Sequence, residues 1–315
     1  MRLTDRGLLE ALRPMVVGRR RELEGVVAAL AAGRHVLLEG PPGTGKSTLL
    51  RAVAHAAGVG FEFVEGNAEL TPARLVGHHD PSRVMAEGYS EAIFVDGPLA
   101  LAMRSGSLLY VEEINRVPEE TLNLLITVMS EGELHVPRLG RLAAADGFRL
   151  VAAMNPFDAV GTARISSAIY DRTCRVLMGY QSATEEATIV ARSVGEATDV
   201  PRPWIDRVVE VVRLTRSHPD VRVGASVRGA VDLVLVAATL GRLRGVPPTD
   251  GNTGLDAALA ALSGRIRLLE GSNRSAEDVV TELWEKVFGA ADPSPDDGEG
   301  DAPEDGGGKG SGPPV

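Results

Sequence analysis

Gly40-Pro-Pro-Gly-Thr-Gly-Lys-Ser-Thr48 has the residue types and spacing of a loop that wraps phosphate. In a G-x-x-x-x-G-K-[ST] pattern the backbone N–H groups turn inward toward phosphate oxygens. Lys46 would reach the β and γ phosphates, and the Ser47 hydroxyl would ligate Mg²⁺. Gly40, Pro41, Pro42, Gly43, Thr44, Gly45, Lys46, Ser47 and Thr48 are therefore the candidate phosphate-binding residues. Lys46 is the only lysine among the first 285 residues, in a chain that otherwise uses arginine. An ammonium is a compact point charge on a flexible stem, whereas a guanidinium is a bulky planar fork, so the two are not interchangeable inside such a loop.

A phosphate loop needs acids that hold Mg²⁺ and polarise water. Leu108-Leu-Tyr-Val-Glu-Glu113 provides them: four apolar residues of a buried strand, then two carboxylates at its C-terminal end, where ligands of α/β folds bind. Glu112 would support Mg²⁺, which favours oxygen ligands. Glu113 would orient and activate the attacking water.

The loop requires a strand before it and a helix after it. His35–Glu39 is a short apolar run, and residues 47–57 suit a helix that stops at Gly58, with its N-terminus aimed at the phosphates. From residue 35 to about 180, strand-like runs at 35–39, 61–64, 107–111, 149–154 and 174–178 alternate with helical stretches. That is the pattern of an α/β fold with a central parallel sheet flanked by helices. Four boundaries follow: a helical lead-in over 1–33, the α/β core over 34–182, an all-helical lid over 183–290 and a tail over 291–315. In the lid, 204–214, 227–243, 255–269 and 275–288 carry helical spacing, and 245–254 reads as a loop. The tail holds seven glycines, five prolines and seven acids, which leaves little to bury and predicts disorder.

Composition narrows the function classes. The formal charge is −10, so no basic excess argues for nucleic-acid binding. The single cysteine, Cys174, precludes an internal disulfide and fits a reducing compartment. No run approaches a membrane span and no apolar signal core opens the chain, so the expectation is a cytoplasmic protein without membrane insertion.

The phosphate loop, Leu109-Tyr-Val-Glu-Glu-Ile-Asn-Arg116, Val151-Ala-Ala-Met-Asn-Pro156 and Gly224-Ala-Ser-Val-Arg-Gly229 together resemble a MoxR-type AAA+ ATPase, over roughly residues 14–290. The clade is the one with helix-2 inserts, related to magnesium-chelatase ATPase subunits and to CbbQ/NorQ and gas-vesicle activases. The resemblance implies ATP and Mg²⁺ as cofactors and hydrolysis as the activity. It implies that Asn155 is the sensor-1 residue placing the lytic water, and that Arg172 is an arginine finger for a neighbouring subunit, with Arg164 as the alternative. Arg228 corresponds to sensor 2, and Val17-Gly18 to the segment that covers the adenine. Glu112 stands where the family usually has Asp, and Thr173 where it has an aromatic residue.

Residues 66–106 fit the insert of that clade, and within it His78-His79-Asp80 reads as a polar loop. Residues 131–137 and 148–151 suggest a β-hairpin with 138–147 at its tip. The expected protein is a ring, a hexamer, that hydrolyses ATP to remodel or activate a protein client, and the resemblance implies a von Willebrand factor A domain protein as a partner. A slowly hydrolysing ATP-dependent switch or scaffold is the alternative that Glu112 favours, and a nucleic-acid motor is the third.

Overall fold

The computed structural model describes residues 6–156, 166–195 and 198–289. Helices α1 (Arg6–Leu12) and α2 (Arg20–Ala31) precede β1 (His35–Glu39), whose apolar run is almost wholly buried. Helix α3 (Lys46–Ala57) leaves the phosphate loop and stops at Gly58 in the left-handed region, as a glycine C-cap does. After β2 (Phe61–Glu65), a small outer layer comprises α4 (Pro72–Val76), β3 (Gly77–His79), α5 (Pro81–Glu87), β4 (Phe94–Asp96) and α6 (Pro98–Ser105). Then come β5 (Leu108–Glu112), α7 (Glu119–Glu131), the hairpin β6 (Glu133–Val136) and β7 (Gly140–Ala143), β8 (Arg149–Met154), α8 (Ser167–Arg172) and β9 (Thr173–Leu177).

The five main strands form one parallel sheet in the order β2-β5-β8-β1-β9. Alternation along each strand divides its residues between two cores. Leu37, Leu109, Val111, Leu150 and Ala152 face α6 and α7. Val36, Leu38, Tyr110, Val151 and Ala153 face α1, α2 and α3. Strands buried on both faces read as continuous apolar runs, which is why they are visible in the sequence. Their C-terminal ends converge beside the phosphate loop.

A separate core lies beyond residue 182. It is built by α9 (Ala183–Val194), α10 (Arg202–Thr215), β10 (Val221–Val223), α11 (Val227–Arg244), α12 (Gly251–Leu262), β11 (Arg267–Leu268) and α13 (Ala276–Phe288). Capping boxes at Ser182/Glu185 and Ser275/Asp278 start α9 and α13.

The structure corrects several expectations. The lid is not all-helical, because β10 and β11 pair antiparallel. The helix expected over 255–269 ends at Leu262, and a single 3₁₀ turn, Ser263–Arg265, follows. Ile266 and Leu268 then turn inward with Arg267 between them, the two-residue period of a strand. The loop expected over 245–254 already contains the first turn of α12, because the Asp250 side chain accepts from the Thr253 N–H at 3.0 Å. The hairpin is shorter than expected: β6 pairs with 140–143, and residues 148–151 run into the central sheet instead, since Leu150 and Val151 are buried there. His78 and His79 belong to β3 rather than to a loop, and the His79 ring packs edge-on against Tyr89 and Phe94. Strands expected at 61–64, 107–111 and 174–178 lie at 61–65, 108–112 and 173–177. Arg164 and the tail over 291–315 lie outside the described residues.

One half-buried group at the edge of the core gives it a pH dependence. His35 Nδ1 accepts from the Leu150 N–H at 2.9 Å, and burial, reinforced by the Arg149 charge, pushes its pKa down to about 4. The unfolded chain therefore takes up a proton, between about pH 6.5 and pH 4, that the folded chain refuses. Stability is fully present above that window and falls as pH drops through it, by at most roughly 3 kcal/mol. Denaturant midpoints measured against pH should show this slope, and His35→Asn, which keeps an acceptor but cannot titrate, should flatten it.

Candidate functional site

The loop between β1 and α3 is held by close approaches that only glycine permits. A Cβ on Gly40 would lie 2.0 Å from the Met178 carbonyl oxygen, and one on Gly43 would lie 2.3 Å from Ser226 Oγ. Gly43 and Gly45 have φ of +73° and +84°, which turn the intervening N–H groups toward one concavity at the head of α3. The buried Thr44 braces the loop, its hydroxyl donating to the Pro41 carbonyl at 2.9 Å. Thr48 is exposed on the first turn of α3.

Lys46 is only 8% exposed, and its Nζ donates to the carbonyls of Gly40 at 2.7 Å and Pro41 at 2.9 Å. Burial pushes its pKa down to about 8, against the attraction of Glu112 and with the repulsion of Arg228 and Arg19. A phosphate reaching this ammonium would meet a cation that burial has left under-compensated.

Ser47 Oγ lies 3.2 Å from each carboxylate oxygen of Glu112 and 3.3 Å from the hydroxyl of Tyr110. Burial raises the Tyr110 pKa further above its ordinary value, so the phenol stays protonated under the pair. A hydroxyl and a carboxylate brought together at the end of a parallel strand are the hard oxygen donors that suit Mg²⁺. Glutamate at 112 therefore still reaches Ser47. Among the described residues no group of three or more His, Cys, Asp or Glu side chains forms any other metal cage.

Glu113 adopts φ +52° and ψ +45°, a left-handed conformation that is uncommon for a residue with a side chain and costs about 1 kcal/mol or more. The backbone reverses there into the 3₁₀ turn Ile114–Arg116, and the Glu113 carboxylate meets Arg116 at 3.2 Å. Gly66 makes room: a Cβ there would lie 2.5 Å from the Glu113 carbonyl oxygen. Asn115 is buried, with its Oδ1 lacking a hydrogen-bond partner among the described residues.

Lys46, Glu112, Glu113 and Asn155 line one wall of a cleft of about 540 Å³. Arg216, Arg222, Arg265 and Arg267 line the opposite wall, with Tyr180 between the two. The other expected residues stand apart. Arg228, in the first turn of α11, is near enough to act on Lys46 electrostatically but does not line the cleft. Gly18 packs against the Glu185 carboxyl, where a Cβ would lie 2.3 Å from its Cδ, and it carries Val17 beside the start of α9. Arg172 is on a different surface, donating to Ser130 Oγ at 2.5 Å and to the Ala168 carbonyl at 3.0 Å.

Sequence reading missed Arg19. Its side chain is buried and donates to the carbonyls of Thr44 at 2.9 Å and Gly179 at 2.6 Å, and to Glu22 at 2.8 Å. It thereby ties the phosphate loop to the segment that leads into the second core. In the run Arg19-Arg-Arg21 nothing local separates it from its neighbours.

Residues 35–173 match the family described as AAA domain (dynein-related subfamily). The chain is 28% identical over 253 residues to the uncharacterized protein YeaC of Bacillus subtilis, covering 73% of this chain and 76% of that protein. It is 29% identical over 266 residues to the gas vesicle ATPase GvpN1 of Halobacterium salinarum, covering 79% and 75%. Among solved structures, the RuvB Holliday junction branch migration motor of Thermotoga maritima superposes with a TM-score of 0.52 at 18% identity, over 80% of this chain and 73% of that one. A Cytophaga hutchinsonii chain superposes at 0.50 with 19% identity, over 89% and 93%. The fold is that of AAA+ ATPases, with a parallel five-stranded P-loop core followed by a helix-rich region. Among the described residues, no helix is long and apolar enough to cross a membrane.

Proposed function

We propose that this chain binds and hydrolyses ATP with Mg²⁺, as a ring of identical subunits, and uses the cycle to remodel or activate a protein client, in the manner of MoxR-type AAA+ proteins. The observation that carries the reading is the approach of Ser47 to Glu112 at 3.2 Å beside the buried Lys46, with Glu113 presented on a left-handed turn into the same cleft. Mg²⁺, when bound, neutralises phosphate charge, and Ser47 and Glu112 would hold it. The loop amides and Lys46 bind the phosphates, Glu113 and Asn155 position the attacking water, and Arg228 acts from α11. Phosphoryl transfer needs little covalent chemistry from the protein beyond this positioning and charge stabilisation.

Arg172 supports the ring. It sits outside its own subunit's cleft, near the C-terminal end of α7, and an arginine there serves catalysis only if it enters a neighbour's site. A hexamer is the assembly proposed, and a von Willebrand factor A domain protein is the partner that the family resemblance suggests. Arg172→Ala should keep ATP binding and lose turnover. Mixing it with Lys46→Ala should restore part of the activity, because each supplies what the other lacks across an interface. Full activity in strictly monomeric Arg172→Ala would remove the shared site.

The second reading, a slowly turning ATP-dependent switch, draws on the longer arm of Glu112, whose two oxygens both sit on the Ser47 hydroxyl. Steady-state phosphate release by the wild type and by Glu112→Asp, with Mg²⁺ or Mn²⁺, decides between the readings. A large gain in rate from the shorter acid favours the switch.

A further inference from the structure

The lid wall of the cleft carries four arginines whose commitments differ. Arg216 binds Glu186 at 2.7 Å and the Ala225 carbonyl at 2.8 Å, with its guanidinium over the Tyr180 ring. Arg265 is tied to Asp232 and to the carbonyl of Ala261. The side chains of Arg222 and Arg267 make no hydrogen bond or ion pair among the described residues, yet both line the cleft.

Their placement follows from the strand pair that the sequence concealed. Val223 is the cross-strand partner of Arg267, and Arg222 immediately precedes it. Val221 and Leu268 pack on the lid core, and the register shift between Val221 and Val223 interrupts the alternation, so that Arg222, Val223 and Arg267 all come to the cleft side. Gly224 and Gly264 also line this wall and add no side chain of their own. Across the cleft stands Lys46, and among the described residues the only carboxylates on the lining are Glu112 and Glu113. Two guanidinium forks without an acidic partner on one wall, in a cleft where cations outnumber acids, favour an anion that joins them. A tetrahedral oxyanion offers each fork two acceptors at once.

We propose that Arg222 and Arg267 form a second oxyanion station facing the phosphate loop, which takes a phosphoryl group, either the terminal phosphate of a bound nucleoside triphosphate or free orthophosphate. The proposal rests on the reading of this cleft as the nucleotide site. Because both arginines ride on the lid and Lys46 rides on the core, a phosphoryl group held between them draws the two walls together. Loss of that group releases them.

The test is an Arg222→Gln/Arg267→Gln double variant of the full chain. Both side chains are exposed and outside either core, so the fold should survive, with an unchanged thermal midpoint as the control. Calorimetric titrations would compare a non-hydrolysable ATP analogue with ADP, and would add orthophosphate to the ADP-loaded and nucleotide-free chains. The expected result is about a tenfold loss of affinity for the triphosphate, with ADP affinity changed less than about twofold. If orthophosphate binds the wild-type ADP form and not the variant, the free anion is also a ligand of the station. Equal weakening of triphosphate and diphosphate, or no change in either, overturns the proposal and leaves a solvated basic wall. If the wild type binds no nucleotide, the nucleotide reading fails. Orthophosphate binding to the nucleotide-free chain, lost or kept in the variant, then decides on the arginine pair alone.

Discussion

Glu113→Gln should bind ATP as the wild type does and release phosphate at least about 100-fold more slowly, the scale on which a positioned general base acts. The substitution keeps the shape of the side chain and removes only its ability to accept a proton. The left-handed turn at 113 is a backbone feature that Gln can share, and it is supported by Gly66 rather than by the carboxylate. The ion pair with Arg116 would be lost, but both partners are more than a third exposed and such a pair contributes little to stability. Equilibrium binding of a fluorescent ATP analogue and steady-state phosphate release are the two measurements. Binding intact with turnover abolished supports the assignment, and the ATP-bound variant becomes the form in which to capture a client. Turnover within about threefold of wild type would take Glu113 out of the reaction and point to another base on the cleft wall.

Half of the site was legible because it is local. The phosphate loop is nine contiguous residues, with glycines where φ is positive or another backbone presses close. The carboxylate pair terminates an apolar strand whose burial on both faces leaves a plain signal. The other wall is assembled from distant pieces. Arg222 and Arg267 are brought together by strands of three and two residues, too short for any period to register in a scan. Arg19 is singled out only by the carbonyls of Thr44 and Gly179, 25 and 160 residues away. The same reasoning accounts for the hairpin. Residues 148–151 suit either a hairpin arm or a sheet strand locally, and burial between β1 and β5 decides for the sheet. Arg172 was found by resemblance to a family motif, and its place on a surface away from its own cleft is information that only the fold supplies.

The lid wall itself depends on one buried acid, and removing it should have the largest effect on stability. Glu186 is 0% exposed and receives Arg216 at 2.7 Å and Arg213 at 3.2 Å. Arg213 also reaches the Gln181 carbonyl at 2.9 Å, and Arg216 the Ala225 carbonyl just before α11. One carboxylate therefore gathers the segment after β9, the end of α10 and the approach to α11. Glu186→Leu would leave the largely buried Arg216 charge without a counter-ion, and breaking a buried pair by removing one partner costs about 3–5 kcal/mol. At roughly 2–4 °C per kcal/mol for a chain of this size, the thermal midpoint should fall by about 10 °C. Glu186→Leu/Arg216→Met removes the stranded charge as well and should recover most of the loss, since Arg213 is 37% exposed and can turn to water. A single variant no less stable than wild type would show that Arg216 finds another anion. A double variant as damaged as the single would show that the cost lies in packing around position 186 rather than in its charge. Only recovery in the double identifies Glu186 as the counter-ion that holds Arg216 over Tyr180 at the edge of the cleft.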